Sequence, residues 1–124
     1  MDKWQAIQSF WGNFGWNAYD ENSVQTGENA PEYPYITYSA QVGSLNEPLA
    51  LSASLWDRSD SWESVSKKAD AIAEYIGYGY VVIKIDDGYM YITRGQPFAQ
   101  RMVDEDDSIR RIYMNIQVEF LTAY

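Results

Sequence analysis

Within the stretch Ile109–Leu121, apolar and polar residues alternate from Arg111 to Phe120. Ile112, Met114, Ile116, Val118 and Phe120 fall on one side of an extended chain; Arg111, Tyr113, Asn115, Gln117 and Glu119 fall on the other. Successive strand side chains point to opposite faces, so this stretch predicts a strand with one face on a core and one more polar. Leu49, Leu51, Ala53 and Leu55 show the same period and predict a strand over Leu49–Trp56. The period then changes. Trp62, Val65, Ala69, Ile72 and Ile76 recur at spacings of three and four, the stripe of a helix lying on a sheet. Asp60 is placed to cap that helix, Glu63 completes a loose capping-box spacing, and Gly77 is suited to close it.

The remaining elements are read in the same way. Trp4, Ile7, Phe10, Trp11 and Phe14 form a wide apolar stripe over Asp2–Phe14, so residues 1–16 read as an N-terminal helix limited by Gly12 and Gly15. Residues 17–32 are polar and aperiodic and read as a long loop or arm, unusual enough in a compact domain to suggest a contact role. Tyr33–Val42 is β-branched and aromatic, with Pro34 at its entrance, and pairs with Leu49–Trp56 through the turn Gly43–Pro48, making a hairpin over 33–56. After the helix at 60–77 come Tyr78–Ile85, the turn Asp86-Asp87-Gly88 expected as type I′, and the strand Tyr89–Thr93. An irregular segment Arg94–Gln100 and an acidic loop Asp104–Asp107 follow, so 78–121 is the three-stranded part of the sheet. The class is α+β: one domain, 1–124, with a mainly antiparallel sheet of about five strands and two helices packed on it. Leu51, Leu55, Trp62, Val65, Ile72, Ile83, Ile112, Ile116 and Phe120 are the expected core.

Charge and composition narrow the chemistry. The net charge is −9, which argues against tight binding to a phosphate backbone but does not exclude a wall past which nucleic acid slides without sticking. There is no Cys and no His, so disulfides, thiolate chemistry, the commonest zinc ligand and the commonest general base are all missing. No apolar run is long enough for a bilayer, no signal-peptide order opens the chain, and a cytoplasmic origin is the simplest reading. Eleven Tyr suit a half-buried sheet face and interfaces, although core filling alone explains most of them.

Motifs for catalysis do not assemble. The acidic loop and the stretch from Asp57 both fail the calcium-loop spacing, since neither has the required Gly and Glu. Gly77-Tyr78-Gly79 ends a helix where a dinucleotide fingerprint would open one. Two carboxylates can always meet in space, but the sequence favours no pair. No cofactor is expected and no catalytic residue is nominated. Arg94, Arg101, Arg110 and Arg111 flank the acidic loop from both sides. They can pair with it inside one chain, the favoured version, or with the loop of a neighbouring copy.

Several phrases, taken in order, carry a resemblance: Phe10-Trp11-Gly12-Asn13-Phe14-Gly15, Ala18-Tyr19-Asp20-Glu21, Pro34-Tyr35-Ile36-Thr37-Tyr38, Ser54-Leu55-Trp56-Asp57-Arg58-Ser59, Arg94-Gly95-Gln96-Pro97-Phe98-Ala99-Gln100 and Ile109-Arg110-Arg111-Ile112-Tyr113. Together they look like the tail terminator, minor capsid or head–tail joining proteins of long non-contractile-tailed bacteriophages. The resemblance implies a non-enzymatic structural protein of the virion, located at the tail–head junction and assembled in the bacterial host cytoplasm. Such proteins close a ring, generally of six copies, on a finished tail tube, stop its growth and offer a surface to the head. The implied partners are the chain itself, the tail tube protein, a head completion or connector protein, and genomic DNA that passes through the hole without specific binding. Arg94, Arg110, Arg111, Tyr19 and Asp20 are then candidates for the subunit interface. Asp104, Glu105, Asp106 and Asp107, or Asp86 and Asp87, are candidates for an acidic lumen. Exposed sheet edges offer strand addition between subunits. The rival readings are another phage neck protein, such as a head-closure subunit, a small phage enzyme, or a monomeric module binding peptide on a Tyr-rich sheet face.

Overall fold

Asp2 starts the first helix, α1 (Lys3–Trp11), by accepting a hydrogen bond from the Gln5 amide at 2.8 Å, while Gln5 Oε1 accepts from the Asp2 amide at 2.8 Å. This reciprocal box satisfies two otherwise orphaned donors. In this computed structural model, which describes residues 1–43 and 47–122, α1 runs on into a 3₁₀ turn, Gly12–Phe14, and ends where Gly15 adopts a φ of 85°. Its buried stripe is Ala6, Ile7, Phe10 and Trp11, whereas Trp4 is 53% exposed. The stripe is therefore narrower than the run of aromatics predicts, because Ala6 lies on the sheet side and Trp4 at its margin.

The strands are β1 (Asn17–Asp20), β2 (Tyr35–Tyr38), β3 (Leu49–Arg58), β4 (Val81–Ile85), β5 (Gly88–Met102) and β6 (Ile109–Thr122), with α2 (Glu63–Ile76) between β3 and β4. They form one six-stranded sheet in the order β1-β2-β3-β6-β5-β4. The class is α+β, but the sheet has six strands and is mixed: β1 runs parallel to β2, and the other pairs are antiparallel. The extra strand lies inside the stretch read as a loop. Its partner is the distant Tyr35–Tyr38, so no local turn signal marks it. The rest of that stretch, beyond Asp20, is irregular apart from a 3₁₀ turn at Gly27–Asn29. The predicted turn at 43–48 falls partly outside the described residues.

Register builds the core. Leu51 lies opposite Ile116, Ala53 opposite Met114, and Leu55 opposite Ile112; on the far side of β6, Met90 meets Phe120 and Ile92 meets Val118. Val65, Ala69, Ile72 and Ile76 of α2 are buried with them. Burial of each such large side chain contributes about 1.5–3 kcal/mol. Of the expected core, Ile83 is half-buried against this cluster and Trp62 is half-exposed at its edge.

The helix α1 touches both edge strands, β1 and β4, so the sheet curls around it. Gln8 Nε2 donates to the Ala18 carbonyl of β1 at 3.2 Å, and the Asp86 amide at the end of β4 donates to the Met1 carbonyl at 2.9 Å. The Met1 ammonium lies 2.7 Å from Asp86 Oδ1. Each edge is thus partly covered, which limits the strand addition expected of it.

Three local details differ from expectation. Asp60 does not cap α2: the cap position is Trp62, which makes no side-chain cap bond, and Ser61 Oγ accepts from the Glu63 amide at 3.1 Å instead. Glu63 pairs with Lys67 at 2.9 Å. At the hairpin, Ile85 pairs with Gly88, so Asp86 and Asp87 form the turn and Gly88 opens β5. Gly88 has a φ of 156°, and a Cβ there would lie 1.9 Å from the Leu121 carbonyl oxygen, so strand proximity is what demands glycine. The segment 94–100 belongs to β5. The register against β6 shifts between Arg94 and Ala99, a bulge braced by Asn115 Nδ2 donating to the Pro97 carbonyl at 2.9 Å.

Candidate functional site

The sheet face turned away from the helices gathers a plate of aromatic and guanidinium groups. Pairing places Tyr35 opposite Trp56 and Trp56 opposite Arg111, and in the next row Tyr19 opposite Thr37, Thr37 opposite Ser54 and Ser54 opposite Tyr113. Period-two alternation puts all of these side chains on one face. Tyr35 and Trp56 stack at 6.2 Å and 18°, and Tyr19 meets Tyr35 edge-on at 6.2 Å. The Arg111 guanidinium lies 4.7 Å from the Trp56 ring centre and 5.9 Å from that of Tyr113. Two polar bonds lock the plate: Trp56 Nε1 donates to Thr37 Oγ1 at 2.9 Å, and Arg111 Nε donates to Ser54 Oγ at 3.0 Å. Partial burial, with the nearby Tyr33 and Asp104 adding to it, pushes the Tyr35 hydroxyl up to about 12.

The acidic loop folds on its own carboxylates at one end of this plate. Ser108 donates to Asp106 Oδ1 from its amide at 2.8 Å and from its hydroxyl at 2.7 Å, and the Asp106 amide donates to Asp104 Oδ1 at 3.0 Å. Those Ser108 bonds, then Arg58, hold the Asp106 carboxyl below its usual range. Arg58, stacked over Tyr33 at 5.0 Å, reaches Asp106 at 3.5 Å. Glu105, Asp107 and Val103 stand exposed.

The four arginines take three separate places. Arg94, on the helix side of β5, donates to the Ala73 carbonyl at 2.6 Å. Arg110, also on the helix side, donates to the Asp60 carbonyl at 3.1 Å and lies 5.4 Å from the Trp62 ring centre. Arg101 approaches the same ring at 4.9 Å. Arg111 lies on the opposite face, in the plate. Among the described residues none of these four forms an ion pair with the acidic loop; only Arg58 does. The favoured intrachain pairing is therefore not what the fold makes. Consecutive residues of β6 point to opposite faces, which separates Arg110 from Arg111. Of the other interface candidates, Tyr19 joins the plate, and Asp20 Oδ1 accepts from the Asn22 amide at 2.9 Å beyond it.

Asp86 and Asp87 lie at the other end of the long β5–β6 ribbon from the 104–107 loop. With Asp2, Lys3 and Trp4 they line a shallow cavity of about 240 Å³. Among the described residues no group of three or more His, Cys, Asp or Glu is placed to hold a metal ion. What the arrangement offers is recognition: flat aromatic surface, guanidinium groups and a projecting acidic loop. Trp56, Trp62 and Arg58 are not marked as binding residues by sequence; the alternation of β3 and β6 assigns Trp56 and Arg111 to the polar face, but not their register.

No protein-family model matches the chain, and no curated protein matches it. Among solved structures, a chain of the virion of a native gene transfer agent particle is similar, with a TM-score of 0.62 at 14% sequence identity over 92% of this chain and 83% of that one. At that identity the likeness is one of fold.

Proposed function

We propose that this chain is a structural protein of a phage-type virion that caps a finished tail tube as a ring, stops its growth and presents a surface for head attachment. The observation that carries the reading is the fold likeness to a chain of a gene transfer agent virion, which spans 92% of this chain and 83% of that one. The ordered phrases that resemble tail terminators point the same way. The role is one of shape and self-assembly rather than turnover. The plate of Tyr35, Trp56 and Arg111 supports it, because Trp, Tyr and Arg dominate the energetics of protein contacts.

In this reading the chain meets copies of itself, the tube protein and a head connector, and DNA passes its acidic surface without being held. The two acidic turns sit at opposite ends of the β5–β6 ribbon; in this reading one of them lines the hole and the other faces a neighbouring protein. Electron microscopy of particles made without this chain tests the role. Tails of uncontrolled length beside unattached heads are expected; normal particles overturn the reading. Binding of the purified chain to tail tubes, and not to DNA-filled heads, separates tail capping from head closure.

A further inference from the structure

A groove of about 360 Å³ runs between α2 and the second half of β5, lined in part by Ala69, Ala99, Ile112, Arg101 and Asp70. Its floor is apolar: Ala69 and Ile112 are almost fully buried. One rim is cationic. Arg101 and Arg110 both lie against the Trp62 ring, two like charges on one indole. Asp57 faces Arg110 across the strands and Asp70 shares the groove, yet no described carboxylate oxygen comes within 4.0 Å of either guanidinium. Two neighbouring, unneutralised guanidinium groups repel each other, and an incoming carboxylate relieves that repulsion.

The same chain carries the complementary shape. Val103 is 100% exposed at the start of the acidic loop and is followed directly by Asp104 and Glu105. A fully exposed branched apolar residue next to carboxylates is an apolar anchor with a charged collar. The loop's own contacts turn it toward Arg58 and Ser108, away from Arg101 and Arg110. In a chain of net charge −9 a nucleic-acid backbone is a poor occupant of this groove, and Asp57 and Asp70 beside it make it poorer.

We propose that the acidic loop of one copy docks into the α2–β5 groove of a second copy, with Val103 on the apolar floor and the loop carboxylates on Arg101 and Arg110. The contact rests on the self-assembling reading above and names the surfaces it uses. Burial of Val103 supplies area, and the charge pairs set register and partner choice.

Sedimentation velocity of the purified full-length chain across concentration and salt tests the contact. Self-association that weakens as salt rises is expected. Arg101→Glu and Glu105→Arg should each weaken it about tenfold, a loss of about 1.4 kcal/mol, and combining them should restore most of the loss. Val103→Ser should weaken it with no change in salt dependence. Arg101, Glu105 and Val103 are all exposed, and unchanged thermal melts confirm that the variants fold. A parent that stays monomeric, single variants that associate like the parent, or a double variant weaker than both singles overturns the proposal. If that happens while particles lacking the chain still show unattached heads, the contact is wrong and the assembly role stands.

Discussion

Arg94 Nη2 donates to the Ala73 carbonyl at 2.6 Å and so ties the bulged strand β5 to the last turn of α2. The same carbonyl accepts from the Gly77 amide at 2.8 Å, so a terminal backbone group of the helix receives two donors. A cation here also complements the negative end of the helix dipole. The guanidinium is held between Tyr78 and Phe98, each ring centre 5.4 Å away. Replacing Arg94 removes a charge-assisted bond and leaves a partly buried carbonyl with one partner. Arg94→Ala should cost about 1.5–3 kcal/mol in urea unfolding, and Arg94→Lys less, since it keeps the charge but loses the planar stack.

Two glycines with positive φ should respond very differently to alanine. At Gly88 the new Cβ meets the Leu121 carbonyl oxygen at 1.9 Å, and rigid backbone cannot yield as a side-chain tip can. Gly88→Ala should therefore destabilise by about 3 kcal/mol or more, through strain in the β5–β6 pairing. Gly27 has a φ of 73°, but nothing lies within 4 Å of its Cβ position. Gly27→Ala should cost only the left-handed backbone penalty, about 1 kcal/mol. Chemical denaturation of both variants separates contact from conformation.

These cases show which parts of the fold could be read from sequence. The alternation of Ile112 to Phe120 and the stripe of Val65, Ala69, Ile72 and Ile76 are local patterns, and local patterns survive folding when one face must be buried. β1 is different: Asn17–Asp20 is short and polar, and it becomes a strand only because Tyr35–Tyr38 lies beside it. The cap of α2 turned on a contest among neighbouring polar side chains, in which Ser59 and Ser61 took the free amides that Asp60 was expected to take. The arginines were grouped by nearness in sequence. Strand alternation alone already parts Arg110 from Arg111, whereas the path of Arg94 beneath a helix end needs the three-dimensional fold.

The hydroxyl of Tyr35 links the plate to pH. Its ordinary value is 10.0 and burial pushes it up to about 12, so the folded state keeps the proton longer than the unfolded state does. Between those values the unfolded chain binds fewer protons, and stability falls as pH rises. The contribution is complete below about pH 10 and is lost by about pH 12. Tyr38, which donates to Gln8 Oε1 and is raised mainly by burial, acts in the same direction. Thermal melts should therefore drop through the alkaline range, and Tyr35→Phe should flatten the drop. An unchanged slope in that variant would assign the alkaline loss to other groups.

Arg111 provides the sharpest test of the plate, because its anchors are weak and its position is prominent. It stacks on Trp56 and Tyr113, bonds Ser54, and among the described residues has no carboxylate partner. A partly exposed guanidinium on a ring contributes about 1 kcal/mol, and the bond to Ser54 adds a similar amount. Arg111→Ala should thus lower folding stability by no more than about 2 kcal/mol. If the plate seats a neighbouring virion protein, the same change removes a guanidinium from the middle of a contact, where truncation typically costs more than 2 kcal/mol. Incorporation of the variant into particles should then fall at least about thirtyfold while its melt shifts only slightly. Arg111→Lys should recover the melt but not the incorporation, since an ammonium cannot lie flat between two rings. Parallel losses in melt and incorporation would make Arg111 a strut of the sheet, with the contact surface elsewhere on the chain.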